Sequence, residues 1–309
     1  MILVFGSLNI DLVFAGDSLP RAGVTLLTPS YDVLPGGKGA NQAVAAARAD
    51  AETVMSGAVG DDAFGRLACA TLVESGVDAR YVARVGAPTG CAAISVDAKG
   101  ENAIVAGSGA NLLARAAQVP DSLLGPATTL VLQCEVPVEE SAALAVRAKA
   151  AHARVILNLA PAGPLPPTLL ECVDILVLNE HEAATLTGSH DLAGESSIFA
   201  AHDGLTIIVT RGRDGCEAIF PNGDRLRIPA LPIKPVDTTG AGDAFVGVLA
   251  ASLDRGHSIE EALRRASVGA GLACLVLGAQ TSMPRSREIE AHLSELPPAT
   301  AISRTGKSD

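Results

Sequence analysis

The sequence predicts an α/β fold with a doubly wound, mainly parallel central sheet flanked by helices, together with a small second β-sheet. Short apolar runs recur without alternating polar residues, a pattern typical of strands buried on both faces. Segments long enough for crossover helices separate these runs, as parallel strands require. The runs that we predict as strands are Ile2–Phe5, Leu130–Leu132, Val155–Leu157, Ile175–Leu178 and Ile207–Val209.

The elements around these strands follow from local signals. The first apolar run is predicted as a strand rather than a secretion signal, because no basic region precedes it and Asp11 follows closely. Glu139–Ala151 and Glu180–Leu186 are predicted as crossover helices. The turn sequence Pro221–Asp224 indicates a hairpin between two short strands.

Two further segments, Val24–Val33 and Ala92–Val105, have the pattern of extended, half-exposed strands. We expect them to form a small antiparallel sheet that projects from the main one, with strands drawn from about residues 12–35 and 89–107.

We predict one domain over residues 1–296 and a flexible tail over residues 297–309. The uncharged stretch Ala266–Pro284 contains several glycines and polar residues, so it is predicted as a buried helix followed by a loop rather than a membrane span.

Composition argues against several classes of function. The chain of 309 residues has 34 acidic and 23 basic side chains, and its net charge of −11 argues against binding to nucleic acid or an anionic membrane. Aromatic residues make up 3% and Trp is absent, which disfavours base-stacking modules. The six cysteines form no C-x-x-C pair and the six histidines have no metal-ligand spacing. We therefore expect reduced thiols in a cytoplasmic protein and no zinc site.

The most informative motif is a glycine-rich turn, Gly240-Ala241-Gly242-Asp243, which precedes a helical pattern of apolar residues. Such a turn exposes backbone N–H groups at the positive end of a helix dipole, where an anion or a developing phosphoryl charge is stabilised. Asp243 has two interpretations. It caps the helix, or it acts as a general base that takes a proton from an attacking hydroxyl.

A second glycine-rich segment, Gly36–Asn41, enters an alanine-rich helix. It is either a flexible turn with a surface lysine, or a place where the backbone approaches a ligand and Lys38 and Asn41 donate hydrogen bonds to a polyol. Asn9 and Asp11 lie beyond the first strand, at its carboxyl end, where binding crevices form in sheets of this kind. They are a candidate hydroxyl-binding pair.

A weaker motif, Asn179-Glu180-His181-Glu182, comes directly after a predicted strand. These residues either begin a helix with Asn179 as its cap, or they ligate hydrated Mg²⁺ near phosphate groups.

In order and spacing, Gly6–Asp11, Gly36–Asn41, Asn179–Glu182 and Thr239–Asp243 resemble the motifs of the ribokinase family of sugar kinases, also called the PfkB family. The resemblance extends from Ile2 to about residue 293. It implies a phosphotransferase that transfers the γ-phosphoryl group of ATP to the 5-hydroxyl of D-ribose. It also implies that the small sheet is a lid over the sugar and that two copies of the chain associate through it.

The resemblance also implies roles for individual residues. Asp243 is expected to be the general base, in an anion hole that it forms with Gly240, Ala241 and Gly242. The sugar is expected to contact Asn9, Asp11, Gly37, Lys38, Gly39, Asn41, Glu135 and Asp243. The nucleotide is expected to contact Asn179, Thr210, Arg211, Gly212, Gly215, Gly242 and Ser267. Glu182 is expected to position Mg²⁺ through water, and K⁺ to bind at Asp237, Thr239, Ala273, Val276, Gly278 and Ser282.

Two alternatives remain open. The small side chains of Cys91, Ala92 and Ala93 in the expected lid, and of Ser267, are compatible with a kinase of the same family for another pentose, for deoxyribose or for a nucleoside. The other alternative is a sugar-binding protein without turnover, against which the intact Gly240–Asp243 turn argues.

Overall fold

The computed structural model describes residues 1–187 and 204–302. Its helices are α1 (Lys38–Arg48), α2 (Ala63–Glu74), α3 (Val138–Ala150), α4 (Pro167–Leu170), α5 (Glu180–Thr187), α6 (Ala241–Asp254), α7 (Ile259–Ala273) and α8 (Ser286–His292). Its strands are β1 (Ile2–Phe5), β2 (Asn9–Ala15), β3 (Asp32–Gly36), β4 (Thr53–Gly60), β5 (Asp78–Val85), β6 (Gly90–Val96), β7 (Asn102–Gly107), β8 (Thr129–Leu132), β9 (Arg154–Asn158), β10 (Ile175–Asn179), β11 (Thr206–Thr210), β12 (Cys216–Ile219), β13 (Arg225–Ile228) and β14 (Thr300–Ile302).

The α/β class is confirmed. Within the described residues, the main sheet has ten strands in the order β14-β13-β12-β11-β10-β9-β8-β1-β4-β5, and a separate sheet has four in the order β3-β2-β6-β7. Along that order, all neighbouring strands of the main sheet from β11 through β1 to β5 pair in parallel, whereas the neighbours from β11 to β14 pair antiparallel. The predicted hairpin is β12 and β13.

Strand β1 lies at the point where the chain reverses its direction of travel across the sheet. From β1 the chain adds β4 and β5 on one side, and it later adds β8 and the strands that follow on the other. In open α/β sheets the crevice at the carboxyl ends of the strands at such a point is where ligands bind. The topology therefore places the candidate site beyond the ends of β1 and β8.

Both faces of the sheet are covered, as the uninterrupted apolar runs predict. Ile2 and Val4 of β1 pack in the core beneath α1, α6 and α7, whereas Leu3 and Phe5 pack in the core beneath α3. The predicted crossover helices correspond to α3 and α5, and the stretch from residue 266 is the end of buried helix α7 and a loop. None of the helices in the described part of the chain has both the length and the apolar character needed to cross a bilayer.

The small sheet is present, but the prediction of its strands was partly wrong. The strand β2 of this sheet begins at Asn9, before the predicted segments. Of the predicted segment Val24–Val33, only the last two residues are in a strand, where β3 begins. The sheet is not purely antiparallel, since β2 and β6 pair in parallel. The reason is that the chain leaves the main sheet at Gly6–Leu8 and enters the small sheet as β2, while β6 arrives later from the main sheet and runs in the same direction.

The predicted tail also requires correction, because residues 297–302 are not all loose. Thr300–Ile302 form the edge strand β14, which pairs antiparallel with β13. Without this pairing β13 would present an open edge of the sheet, so the added strand satisfies its backbone groups. The rest of the predicted tail, residues 303–309, lies outside the described residues.

Candidate active site

The glycine turn before α1 packs directly on the segment that follows β1. Gly37 has a φ of 90°, and a Cβ atom there would lie 2.7 Å from the backbone nitrogen of Asn9. A Cβ atom on Gly39 would lie 2.6 Å from the nitrogen of Ser7. Only glycine fits at these two positions. The turn thereby brings the start of α1 against Asn9.

Glu135, which follows β8, is held at the same place. Its Oε2 accepts hydrogen bonds from the hydroxyl of Ser7 and from the backbone nitrogen of Lys38, the latter at 3.1 Å. Asn9 is fixed from the other side, because its Oδ1 accepts from Nδ2 of Asn111 at 2.7 Å.

Asp243 lies in the first turn of α6 and is buried, with 8% of its surface exposed. Its Oδ2 accepts from Nδ2 of Asn41 and its Oδ1 accepts from Nε2 of Gln42, both at 2.9 Å. No side-chain cap is formed at the start of α6. The carboxylate therefore points at α1 instead of capping its own helix.

Close packing of two helices makes this contact possible. A Cβ atom on Gly247 of α6 would lie 2.5 Å from the carbonyl oxygen of Gln42 and 2.5 Å from Cβ of Ala45. Glycine at this position lets the backbones of α1 and α6 approach, so that Asn41 and Gln42 reach the Asp243 carboxylate.

Three carboxylates, those of Asp243, Glu135 and Glu182, act on the Lys38 ammonium, and a fourth, that of Asp11, interacts with two of them. Burial raises the pKa of Asp243, and the charge of Lys38 and the hydrogen bonds from Asn41 and Gln42 oppose this effect only in part. Burial, with the charges of Glu135 and Asp243, raises the pKa of Asp11 to about 6.

The Lys38 ammonium responds in the opposite way to burial. Burial lowers the pKa of Lys38, but the charges of Asp243, Glu135 and Glu182 raise it more, so its pKa lies above the ordinary value. Lys38 is therefore a permanent cation in a site with surplus negative charge.

A cavity of about 140 Å³ opens beside Asp243 and Lys38. It is also lined by Gly240 and Gly242 of the glycine turn and by Asn158, Ala160, Val177, Leu178, Asn179, Glu182 and Thr210. A Cβ atom built on Gly242 meets nothing within 4 Å, so the space beside the turn is open. The first N–H groups of a helix have no intrahelical partner, which suits this turn to an anion.

Asn179 and Glu182 interact with each other at the edge of this cavity. The Asn179 nitrogen donates to Oε2 of Glu182, and the Glu182 nitrogen donates to Oδ1 of Asn179, both at 2.8 Å. This reciprocal pair is the capping arrangement of a helix start. The helix interpretation of the motif is thus correct, and the same Glu182 side chain still lines the cavity.

Several residues expected at the nucleotide site do not line the cavity, and they make ion pairs, hydrogen bonds or close contacts with other parts of the protein. Arg211 pairs with Glu180 at 3.4 Å and with Glu217 at 3.3 Å. The hydroxyl of Ser267 donates to the carbonyl of Pro229 at 2.9 Å, and Ser267 is buried. Gly212 and Gly215 flank the turn after β11, where a Cβ atom on Gly215 would lie 2.0 Å from the carbonyl oxygen of Ile228.

The residues expected to bind K⁺ form a connected loop region beside α6. Oδ1 of Asp237 accepts from the nitrogen and the hydroxyl of Thr239, at 2.9 Å and 2.6 Å, and its Oδ2 accepts from the nitrogen of Gly278 at 2.9 Å. Burial raises the pKa of Asp237, but these hydrogen bonds lower it more, so the carboxylate has a pKa below its ordinary value.

Three other members of the expected K⁺ set, Ala273, Val276 and Ser282, have backbone or side-chain hydrogen bonds in the same loops. The carbonyl of Ala273 accepts from the nitrogen of Val276, and Ser282 donates its hydroxyl to Ala279. Among the described residues, no group of three or more His, Cys, Asp or Glu side chains forms a metal-binding cluster.

A larger groove, of about 630 Å³, lies at the opposite edge of the main sheet. It is lined by residues at the amino ends of the strands, including Met1, Thr129 and Arg154. The motif residues described above do not line it, so the smaller cavity beside Asp243 is the candidate active site.

The family model described as "pfkB family carbohydrate kinase" matches residues 1–286 of this chain. The chain belongs to this family. The ribokinase of Bacillus subtilis (strain 168) is 37% identical over 295 residues, which cover 95% of this chain and 99% of that protein. The ribokinase of Lactococcus lactis subsp. lactis is 38% identical over 297 residues, covering 95% of this chain and 97% of that protein.

Solved structures agree with the family assignment. A ribokinase from Thermotoga maritima superposes with a TM-score of 0.88 at 32% identity, covering 95% of this chain and 99% of that one. A ribokinase of Arabidopsis thaliana, solved in complex with ribose and ATP, superposes with a TM-score of 0.86 at 31% identity, covering 94% and 98%. The fold of this pfkB-family chain is therefore that of the ribokinases.

Sequence reasoning missed the roles of five buried polar residues of this pfkB-family site. They are Ser7, Gln42, Asn111, Gln133 and Asn158, whose hydrogen bonds fix the residues that the motifs indicate. For Gln133 and Asn158 a signal exists, because each is the first polar residue after an apolar run that forms a buried strand.

Proposed function

We propose that this chain is an ATP-dependent sugar kinase that phosphorylates the 5-hydroxyl of D-ribose to give D-ribose 5-phosphate. One observation carries the proposal. The buried Asp243 carboxylate, held by Asn41 and Gln42, lies in the first turn of a helix whose glycine turn lines a cavity with Lys38. The curated relatives from B. subtilis and L. lactis are named ribokinases, which supports the choice of acceptor.

In this proposal Asp243 is the general base. It takes the proton of the 5-hydroxyl as the hydroxyl oxygen attacks the γ-phosphorus, the new O–P bond forms, and the bond to the leaving ADP oxygen breaks. The raised pKa of Asp243 makes it a stronger base than an exposed aspartate, while Lys38 favours its ionised form. In the turn from Gly240 to Asp243 the N–H of Ala241 donates to the carbonyl of Thr238, and the other N–H groups stabilise the charge of the transferring phosphoryl group.

The sugar would lie between the small sheet and α1. Asn9, Asp11 and Glu135 supply oxygen acceptors there, and Lys38 and Asn41 supply donors, with the backbones of Gly37 and Gly39 allowing close approach. Burial of one face of the sugar by the small sheet as a lid would exclude water during transfer.

The nucleotide and its cations would lie on the other side of Asp243. Asn179 and Thr210 line the cavity beside the glycine turn, and the turn after β11 that holds Gly212 and Gly215 lies next to Thr210. When bound, Mg²⁺ would neutralise phosphate charge, and the surplus of carboxylates in the site, with Glu182 among those that line the cavity, fits such a cation.

The donor set around Asp237 fits a monovalent cation. The Asp237 carboxylate has a lowered pKa, and no salt bridge to a basic side chain is found for it in the described part of the chain. Oxygen donors of Thr239, Ala273, Val276, Gly278 and Ser282 would complete a K⁺ site, which would hold the loop before α6 in place.

We further propose that two copies of the chain associate through the small sheet. The support is the exposed apolar side chains on and beside it, including Leu27 at 87%, Val105 at 76% and Ile104 at 55% exposure.

We place the protein in the cytoplasm, a proposal supported by its six cysteines, all of which are free thiols.

A second candidate is a pfkB-family kinase for deoxyribose, another pentose or a nucleoside. One observation favours it. Ala92 is in register with Asp11 across the β2–β6 pair, and Cys91 precedes it, so the small sheet has small side chains beside the sugar-binding residues. A larger or differently shaped acceptor would fit there.

The test is an ADP-release assay with Mg²⁺, ATP and K⁺ across ribose, deoxyribose, fructose, xylose, ribulose and adenosine. We expect the highest kcat/KM for ribose. A higher value for deoxyribose or adenosine would support the second candidate. Absence of ADP release with every acceptor, together with sugar binding in calorimetry, would identify a binding protein and contradict both kinase proposals.

A further inference from the structure

A chain of buried side-chain amides ends at the Asp243 carboxylate. Nε2 of Gln42 donates to Oδ1 of Asp243 at 2.9 Å and to Oδ1 of Asn158 at 3.0 Å, and Oε1 of Gln42 accepts from Nε2 of Gln133 at 2.7 Å. All three amides are buried, with exposures of 0% for Gln42, 2% for Gln133 and 8% for Asn158.

The orientation of each amide follows from the two groups at the ends of this row of hydrogen bonds, the carbonyl of Val177 and the carboxylate of Asp243. Nδ2 of Asn158 donates to the carbonyl of Val177 at 3.2 Å. A main-chain carbonyl only accepts, so Asn158 must turn its oxygen toward Gln42, and Gln42 must then present its NH₂ group to Asp243. At the other end an ionised carboxylate also only accepts. Both ends therefore demand the same orientation of the Gln42 amide.

Gln133 completes the constraint on Gln42. Its NH₂ group donates to the only oxygen of the Gln42 amide, which opposes a flip of that amide. Gln133 is itself confined, since a Cβ atom on Gly6 would lie 1.9 Å from Oε1 of Gln133. The glycine that follows β1 thus leaves the space that the Gln133 amide occupies.

We propose that Gln42 is a positioning residue for Asp243, and that Gln133 and Asn158 hold the Gln42 amide so that the carboxylate keeps one orientation and its ionised form. The inference rests on the proposed function, in which Asp243 is the general base. Asn41 binds the other carboxylate oxygen, so the two donors together fix the plane of the carboxylate. A base held in this way needs no reorientation when the sugar hydroxyl arrives.

The charged groups that face Asp243 are distinct from this amide chain. They are Lys38 on α1, Glu135 after β8, Glu182 on α5 and Asp11 on β2. Because Gln42 and Gln133 are neutral, their replacement by another neutral side chain leaves these charges unchanged. A change in the pH dependence then reports the loss of the hydrogen bond itself.

The test replaces each glutamine by methionine, which has nearly the same length and no amide. In Gln42→Met we expect kcat to fall roughly 10- to 100-fold, as for the loss of a hydrogen bond to a charged group. The acidic limb of kcat should move to higher pH, because the ionised carboxylate loses a donor. KM for the sugar should change little. Gln133→Met should also lower kcat and move the acidic limb to higher pH, but by smaller amounts than Gln42→Met.

Gln118→Met is the matched control. Gln118 is a half-buried glutamine whose Nε2 donates to the carbonyls of Gly57 and Tyr81, with no link to Asp243. We expect it to lower the melting temperature without changing kcat or the acidic limb. A purely structural effect of losing a glutamine would give the same pattern in Gln42→Met.

Asp243→Asn separates the two possible failures. If Asp243→Asn is inactive but Gln42→Met keeps the wild-type kcat and acidic limb, the positioning role is overturned and the proposed function stands. If Asp243→Asn keeps near-normal turnover, Asp243 is not the base, and both proposals about it are wrong. If Gln42→Met does not fold, Gln133→Met decides, and an unchanged kcat and acidic limb would overturn the proposal.

Discussion

The hydroxyl of Ser7 donates a hydrogen bond to Oε2 of Glu135, although the two residues lie 128 positions apart in the chain. Ser7 follows β1 and Glu135 follows β8, so the bond joins the carboxyl ends of two neighbouring parallel strands. The same oxygen accepts from the backbone nitrogen of Lys38. Glu135 is therefore fixed in the crevice by groups from two different segments.

Ser7→Ala should weaken sugar binding without affecting phosphoryl transfer. Loss of one hydrogen bond leaves Glu135 less well oriented, so we expect KM for the sugar to rise by about 5-fold with kcat nearly unchanged. Ser141→Ala on α3 is the control, because Ser141 is buried and no partner for its hydroxyl is found in the described residues. A KM equal to that of the wild type would show that Ser7 does not orient Glu135.

Asp243→Asn should abolish most of the turnover. The amide keeps the shape of the side chain but cannot accept the proton of the acceptor hydroxyl, so kcat should fall by roughly 10²- to 10⁴-fold. Calorimetry should show that sugar binding largely survives, and thermal unfolding should show a folded protein. Near-normal kcat in a folded variant would contradict the role of Asp243 as the base.

Asp11→Asn should stabilise the protein while it weakens sugar binding. The pKa of Asp11 is raised from 3.8 to about 6, so the folded state holds a proton at pH values where the unfolded chain has lost it. Stability from this group is therefore present at low pH and is lost as the pH rises through about 6. At pH 7 the substitution should increase the free energy of unfolding by roughly 2 kcal/mol.

Urea unfolding at pH 7 and at pH 3.5 measures this effect, and the gain should disappear at the lower pH. The control is Asp32→Asn, at an exposed position of β3. The KM for the sugar should rise in Asp11→Asn, since a carboxylate acceptor becomes a neutral amide. A loss of stability at pH 7 would contradict the unfavourable burial of the Asp11 charge.

Gly240→Ala should reduce both stability and turnover. Gly240 has a φ of 75°, where an alanine is strained by about 1–2 kcal/mol. Its Cβ would also lie 3.0 Å from Cα of Ala279, so the turn at the start of α6 would shift. We expect a lower melting temperature and a lower kcat.

Gly256→Ala is the matched control for Gly240→Ala. Gly256 has a similar φ of 83°, and a Cβ there meets nothing within 4 Å. It should lower the melting temperature and leave kcat unchanged. Equal kcat values in the two variants would show that the geometry of the glycine turn is not important for catalysis.

Replacement of Na⁺ by K⁺ in the assay should raise kcat. A bound monovalent cation would hold the loop that contains Asp237 and Thr239, and through it the turn at Gly240. Asp237→Asn should remove most of the difference between the two cations, whereas Asp224→Asn, at the exposed turn between β12 and β13, should not. The same response to Na⁺ and K⁺ in the wild type would contradict the proposed site.

The sequence allowed the parallel part of the main sheet to be predicted where strands are uninterrupted apolar runs. Strand β4, Thr53–Gly60, was not singled out, although all eight of its residues are buried. Ser56 and two glycines interrupt its apolar pattern. The edge strand β14 was missed for a different reason, since its pairing depends on the position of β13 rather than on its own residues.

In the candidate site, too, features that depend on neighbouring residues in the sequence could be predicted, whereas features that depend on contacts between distant segments could not. The glycine motifs could be found because a turn that approaches another backbone requires glycine locally, as at Gly37. The role of Gln42 could not be found, because it depends on the approach of α6 to α1 at Gly247. Asn111 likewise acts on Asn9 across 102 positions.

The central position of β1 has a consequence for biosynthesis. This strand precedes every other strand of the main sheet, yet its two neighbours are β4 and β8, and β8 begins only at Thr129. A nascent chain that has not reached β8 leaves one edge of β1 unpaired, and apolar strand edges of that kind promote aggregation. Because its contacts join segments that are far apart in the chain, the crevice forms late. The ribosome must deliver β8 and Glu135 before that carboxylate is able to meet Ser7 and Lys38, and it must deliver α6 before Asp243 is able to meet Asn41 and Gln42.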